Sequence, residues 1–146
     1  MGEEILKVLI PVDGSACADH AVAQLIRQAA WCRDTPEIHL LHVHAPIPVG
    51  RVQQHIGQEV LAAYYREESE SLLRSAENLL SEAGLAFQRH IHVGSPAALI
   101  VKLAKEMGCD VIFMGTHGRG ALQAALLGSV AGKVLHLAHC PVMLVK

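Results

Sequence analysis

The apolar positions of this chain fall into two rhythms that alternate from one end to the other. Residues 5–12 are apolar except for Lys7, and Pro11-Val12-Asp13-Gly14-Ser15 closes the run. A short apolar run ended by turn residues predicts a strand buried on both faces. The rhythm then changes, with Ala21/Val22, Leu25/Ile26 and Ala29/Ala30 recurring every fourth residue, the period of one helix face. Residues 37–45 (EIHLLHVHA) predict a second strand, and Pro46, Pro48 and Gly50 open a loop running to about Gly57. A long helix over 59–83 follows. Leu61, Tyr65, Leu72, Ala76, Leu79 and Leu80 share one face of it, while Glu67, Glu68, Glu70, Arg74 and Glu82 lie largely elsewhere. Gly84 stops it. Residues 87–93 (FQRHIHV) predict a third strand. Ser95-Pro96 starts a helix whose apolar stripe is Ile100, Leu103, Ala104 and Met107. A fourth, fully buried strand is predicted at 110–114, a last helix at 129–138 and a fifth strand at 140–145 (CPVMLV).

Strands alternating with helices predict one open parallel sheet with helices on both faces. No linker, repeat or low-complexity stretch divides the chain, so residues 1–146 form a single domain. In such sheets ligands bind beyond the carboxyl ends of the strands. The ends of strands one, two and four, at 13–15, 43–45 and 115–118, therefore share one rim.

The stretch GTHGRGALQAALLGS at 115–129 lies on that rim. Gly115 ends a buried strand, and Gly118 sits where the chain turns away. A missing side chain there lets backbone N–H groups approach an anion. Gly128-Ser129 opens the last helix, whose free N–H groups and serine hydroxyl form a phosphate site. Ser15, Ser95 and Ser129 read as helix caps rather than nucleophiles, because no G-x-S-x-G elbow is present.

Composition narrows the function. A net charge of −2 without charge runs does not signal a nucleic-acid surface, and 3% aromatic residues leave few platforms for stacked bases. No apolar run is long enough to cross a bilayer, and the start lacks the signal-peptide pattern, so the cytoplasm is the expected location. The four cysteines, at 17, 32, 109 and 140, form no C-x-x-C pair and read as reduced thiols.

The spacing G115-x-x-G118-x9-G128-S129 resembles the nucleotide motif of the universal stress protein family. KVLIPVDGS near the start resembles that family's first strand and its Asp, and HCPVMLV its closing strand. The resemblance covers essentially the whole chain in one register. It implies a five-stranded sheet in order 3-2-1-4-5, dimers, and, in one subclass, bound ATP, with ADP or AMP as variants and magnesium as companion. Asp13, flanked by Pro11 and Val12, is implied to lie beside the nucleoside, and Val43 to border the adenine through its backbone. Gly115, Thr116, Gly118, Gly128, Ser129 and Val130 are implied to surround the ribose and phosphates, with His117 and Arg119 as phosphate neighbours. Family members often carry an acidic or polar residue three after the serine. Gly132 stands there instead, which removes a charge and the partner for a capping box with Ser129.

The expected role is nucleotide-dependent regulation of an unnamed protein partner in a stress response. The alternative is a slow ATPase or adenylyl-transfer enzyme using the same pocket. Phosphoryl transfer needs an oriented water, a bridging metal and added positive charge. With Asp13 taken at the nucleoside, no evident carboxylate is left to place the water, so binding with little or no turnover is expected. The strand at 140–145, guarded only by Lys146, reads as an apolar edge that pairs with its copy, giving a homodimer through 140–146. Finally, His42 and His44 share one face of strand two, and His90 and His92 one face of strand three. If these strands are neighbours the four imidazoles can meet, and imidazole suits zinc, copper or nickel. No Cys or carboxylate spacing supports a metal site, and the histidines read as strand residues bonded to backbone or water.

Overall fold

The computed structural model describes residues 4–48, 57–118 and 127–146. Its elements run β1 (Lys7–Pro11), α1 (Ala16–Ala29), β2 (Glu37–His44), α2 (Gln58–Glu82), β3 (Phe87–Val93), α3 (Pro96–Glu106), β4 (Val111–Gly115), α4 (Ser129–Leu137) and β5 (Val142–Val145). The five strands form one parallel sheet in the order β3-β2-β1-β4-β5. Both the architecture and the order agree with the expectation.

Alternation along the strands splits the core into two layers. Val8, Ile10, Ile38, Leu40 and Phe113 point toward α1 and α2, where Val22, Leu73 and Leu80 meet them. Leu9, Leu41, Ile112 and Met114 point the other way, onto Ile100, Ala104 and Val134 of α3 and α4. Leu9, Ile10, Leu40, Leu41 and Ile112 are fully buried because the central strands have helices on both faces. Each such side chain contributes about 1.5–3 kcal/mol relative to exposure.

Strand five is shorter than its apolar run. Pro141 accepts the Ile112 N–H at 3.0 Å, but it has no N–H to continue the ladder, so regular pairing starts at Val142. Of the three serines read as caps, only Ser15 caps: its hydroxyl accepts the Ala18 N–H at 3.1 Å. Ser95 occupies the cap position of α3 without a side-chain bond. Ser129 falls one residue too late, because Gly128 is the cap and Ser129 the first residue of α4.

At the amino ends of the strands, beyond α1, Trp31 projects with 79% of its surface exposed. A shallow apolar crevice beside it is lined by Leu6, Val8, Pro36 and Phe113. No described helix is long and apolar enough to cross a membrane.

Candidate functional site

At the carboxyl ends of β1, β2 and β4 lies a cleft of about 610 Å³. Of the residues picked from the sequence, it is lined by Pro11, Val12, Asp13, Val43, Gly115, His117, Gly118, Gly128, Ser129 and Val130. Thr116 sits just behind, buried, its hydroxyl 3.0 Å from His117 Nδ1. Arg119 lies outside the described residues, as does most of the loop after strand two, from residue 49 to 56.

Asp13 is held by its own turn. Gly14 adopts φ +80°, a conformation that side-chain-bearing residues avoid, and this brings the Ser15 N–H to Asp13 Oδ1 at 3.0 Å. The other carboxylate oxygen lies against Gly118, where an added Cβ would stand 2.6 Å from Asp13 Oδ2. Gly118 is thus bare because a carboxylate occupies the space beside it.

The remaining two glycines, which also line the cleft, allow close backbone approaches. A Cβ on Gly115 would come within 2.8 Å of the Cys17 carbonyl oxygen, so this glycine lets β4 approach the backbone of α1. A Cβ on Gly128 would stand 3.2 Å from His117 Cα and from the Thr116 oxygen. Gly128 also donates its N–H to that oxygen at 2.7 Å. The two ends of the 115–129 stretch are therefore clasped together, and the start of α4 is presented to the cleft. The first N–H groups of a helix have no intrahelical acceptor, and Gly128 has no side chain to cap them. Ser129, Val130 and Ala131, which open α4, all border the cleft.

A further wall of the cleft was only partly foreseen, through His44 in the 43–45 strand end. It comprises His42, His44, Glu68 and Leu72. Glu68, grouped in the sequence with the charged residues away from the apolar stripe of α2, reaches the cleft with Oε2 3.3 Å from His44 Nε2. The Tyr64 hydroxyl bonds to Glu68, which raises the tyrosine's pKa. The His44 ring packs edge-on against Tyr64 and Tyr65, with centroids 6.2 and 4.9 Å away. Tyr65 in turn accepts the Ile47 N–H at 2.9 Å, tying the chain after β2 to α2. The available signal was His42-x-His44 at a strand end on the ligand rim.

Register separates the four strand histidines. Leu41 pairs with His90 and Val43 with His92, so His90 and His92 share the face opposite to His42 and His44. His90 instead meets His39, at 2.9 Å between Nε2 and Nδ1, and His39 meets Glu37 at 2.8 Å. Among the described residues no three His, Cys, Asp or Glu side chains are grouped to hold a metal ion.

Burial, foremost, holds both His42 and His90 below the usual 6.5, with neighbouring histidines adding to the effect. The unfolded chain then binds more protons than the folded one just below pH 6.5. Stability from these two rings is complete above 6.5 and is lost as pH falls through their lowered folded values. The urea midpoint is expected to drop between about pH 7 and pH 5, and to drop less in a His42→Asn/His90→Asn variant. Equal drops in the two proteins would refute the assignment. Burial also pushes the Cys109 thiol up to about 11, and the Cys140 thiol upward. Both are packing thiols on the α3/α4 layer.

Residues 4–146 match the model of the Universal stress protein family. The chain belongs to that family. Among its universal stress protein relatives, MJ0531 of Methanocaldococcus jannaschii is 32% identical over 146 residues, covering 99% of this chain and 85% of the relative. The solved structure of hypothetical protein MJ0577 from the same organism is 32% identical, with TM-score 0.81, covering 97% of this chain and 95% of that one. A universal stress protein from Archaeoglobus fulgidus, solved in complex with dAMP, shares the fold at 22% identity and TM-score 0.66, with 98% of each chain covered.

Proposed function

We propose that this universal stress protein binds an adenine nucleotide, ATP in the first instance, and acts as a nucleotide-dependent regulatory module in the cytoplasm. The observation that carries this reading is the cleft itself. It gathers the Asp13 turn, the Val43 strand end and the uncapped start of α4 around one space large enough for a nucleotide. The dAMP complex of the Archaeoglobus relative supports the same ligand class.

The residues present fit such a ligand. The N–H groups opening α4 suit phosphate, since a helix start offers unpaired donors and the positive end of the helix dipole. Across the cleft Asp13 can accept from ribose hydroxyls, and the backbone of Val43 suits the base edge. Magnesium, when bound with ATP, neutralises phosphate charge. Of the two carboxylates lining the described cleft, Asp13 is engaged by Ser15 N–H and Glu68 stands beside His44. Neither is placed as the base that orients an attacking water. Binding with slow turnover follows.

Protein purified without added nucleotide, then denatured, is expected to release ATP, ADP or AMP detectable by mass spectrometry. Calorimetric titration should give tight binding, with turnover slower than minutes. A steady-state rate in the ordinary enzymatic range of about 1–10³ s⁻¹, lost in Ser129→Ala, would instead establish an ATPase.

We also propose a homodimer through residues 140–146. Strand β5 is a sheet edge, short and apolar, with Met143 41% exposed. Such an edge pairs readily with its two-fold copy. Sedimentation equilibrium at micromolar concentration is expected to give a dimer mass, and a monomer would overturn the pairing.

A further inference from the structure

The wall of the cleft formed by β2 contains a histidine whose two nitrogens stand in opposite situations. His42 is 4% exposed, with Nδ1 2.8 Å from the Val12 carbonyl oxygen. A carbonyl only accepts, so Nδ1 carries the proton and donates it. Nε2 is buried and has no hydrogen-bond partner. The ring is therefore fixed as one neutral tautomer, with a bare lone pair inside the wall.

The carbonyl it holds belongs to the peptide linking Val12 to Asp13. One residue earlier along β2, the Leu41 carbonyl accepts the Val12 N–H at 2.8 Å. Consecutive residues of β2 thus grip Val12 from both sides, immediately before the Asp13-Gly14-Ser15 turn. Downstream, Ser15 N–H holds Asp13 Oδ1. This short chain of bonds links His42 to the turn that orients the Asp13 carboxylate, and among the bonds described His42 is the side-chain donor to Val12.

We propose that His42 is a positioning residue for Asp13, acting only as a neutral ring, so that ligand binding in the cleft weakens as the protein is acidified. This rests on the nucleotide-binding reading above. The titratable groups facing His42 are His44 on its own strand, Asp13 at the end of β1 and Glu68 on α2, while its paired neighbour on β3 is the apolar Ile91. The two carboxylates favour a charged ring, but neither bonds to Nε2: Asp13 is turned to Ser15, and Glu68 to His44. A second proton would therefore create a buried N–H with no acceptor, in a site already costly for charge. The ring then leaves the wall, the Val12 carbonyl loses its donor, and the Asp13 turn loosens.

The test compares the wild-type protein with His42→Asn, using AMP as the calorimetric probe from about pH 7.5 to pH 5. The asparagine amide N–H takes the place of Nδ1–H and does not titrate. The variant is expected to bind within about threefold of wild type at neutral pH. Wild-type affinity should then fall relative to the variant by up to about tenfold per pH unit below the His42 pKa. Titration of AMP itself cancels in that ratio. His42→Phe, lacking the donor, should bind weakly at every pH. Parallel profiles for wild type and His42→Asn would overturn the proposal. If AMP binds neither protein, the nucleotide reading fails, and His42 is judged in the ligand-free wild type by NMR. Its imidazole ¹⁵N shifts are expected to show the Nδ1–H tautomer, and the Ser15 amide resonance to move as His42 titrates. A Ser15 amide that ignores that titration would refute the positioning role.

Discussion

Gly118→Val is expected to weaken nucleotide binding sharply while leaving the fold unchanged. Gly118 is exposed at the rim, so no core contact depends on it. Its added Cβ would stand 2.6 Å from Asp13 Oδ2, and valine's branches would fill the space around that oxygen. The carboxylate would have to swing aside, giving up the Ser15 N–H and the position from which it is proposed to meet the nucleoside. A hydrogen bond to a charged group contributes about 1.5–3 kcal/mol, so affinity should fall roughly ten- to a hundredfold or more. Calorimetric titration would show this, with circular dichroism and the thermal midpoint close to wild type. Unaltered binding in a folded Gly118→Val protein would remove Asp13 from the site.

Gly115→Ala should do the reverse. Its Cβ would meet the Cys17 carbonyl oxygen at 2.8 Å, the carbonyl carbon at 2.9 Å and Cβ at 3.0 Å. Two of these atoms are backbone in the first turn of α1, and they yield only if the helix lifts from β4. Overpacking of this kind costs about 1–3 kcal/mol. We expect a lower urea midpoint with an unchanged slope, and nucleotide affinity altered by less than about threefold in the folded protein. The pair of variants separates two reasons for a glycine that look alike in a spacing motif. A Gly115→Ala protein of full stability that had lost its ligand would reverse the assignment.

Where the sequence was informative, it was so through period. β3 spans residues 87–93 as the pattern predicted, because alternation and the flanking Gly84 and Gly94 bound it on both sides. The carboxyl-end rim followed from the αβ alternation, and the cleft lies there. Period says which side chains share a face but not which strand residues stand opposite one another. That is why His90 was expected near His42 and instead pairs with His39 across the other layer. Glu68 was misplaced by its charge rather than by its period. It was set apart from the apolar stripe because it is charged, yet it follows Leu61 by seven residues and Tyr65 by three and precedes Leu72 by four, so helical period puts it on the same face as these, toward the cleft. The glycine spacing marked the right segment without revealing what each glycine touches, since Cys17 and Asp13 are about a hundred residues away in the chain.

The lone tryptophan and the two tyrosines stand at opposite ends of the sheet. Trp31 is already surrounded by water in the folded protein, so its emission begins near the colour of an unfolded chain and changes little on denaturation. Tyr64 and Tyr65 stand beside His44 at the cleft wall, where a bound purine would alter their surroundings. The chain thus carries two optical reporters that answer different questions. Selective excitation of the indole is nearly silent about both folding and ligand, whereas tyrosine emission is expected to follow occupancy of the cleft.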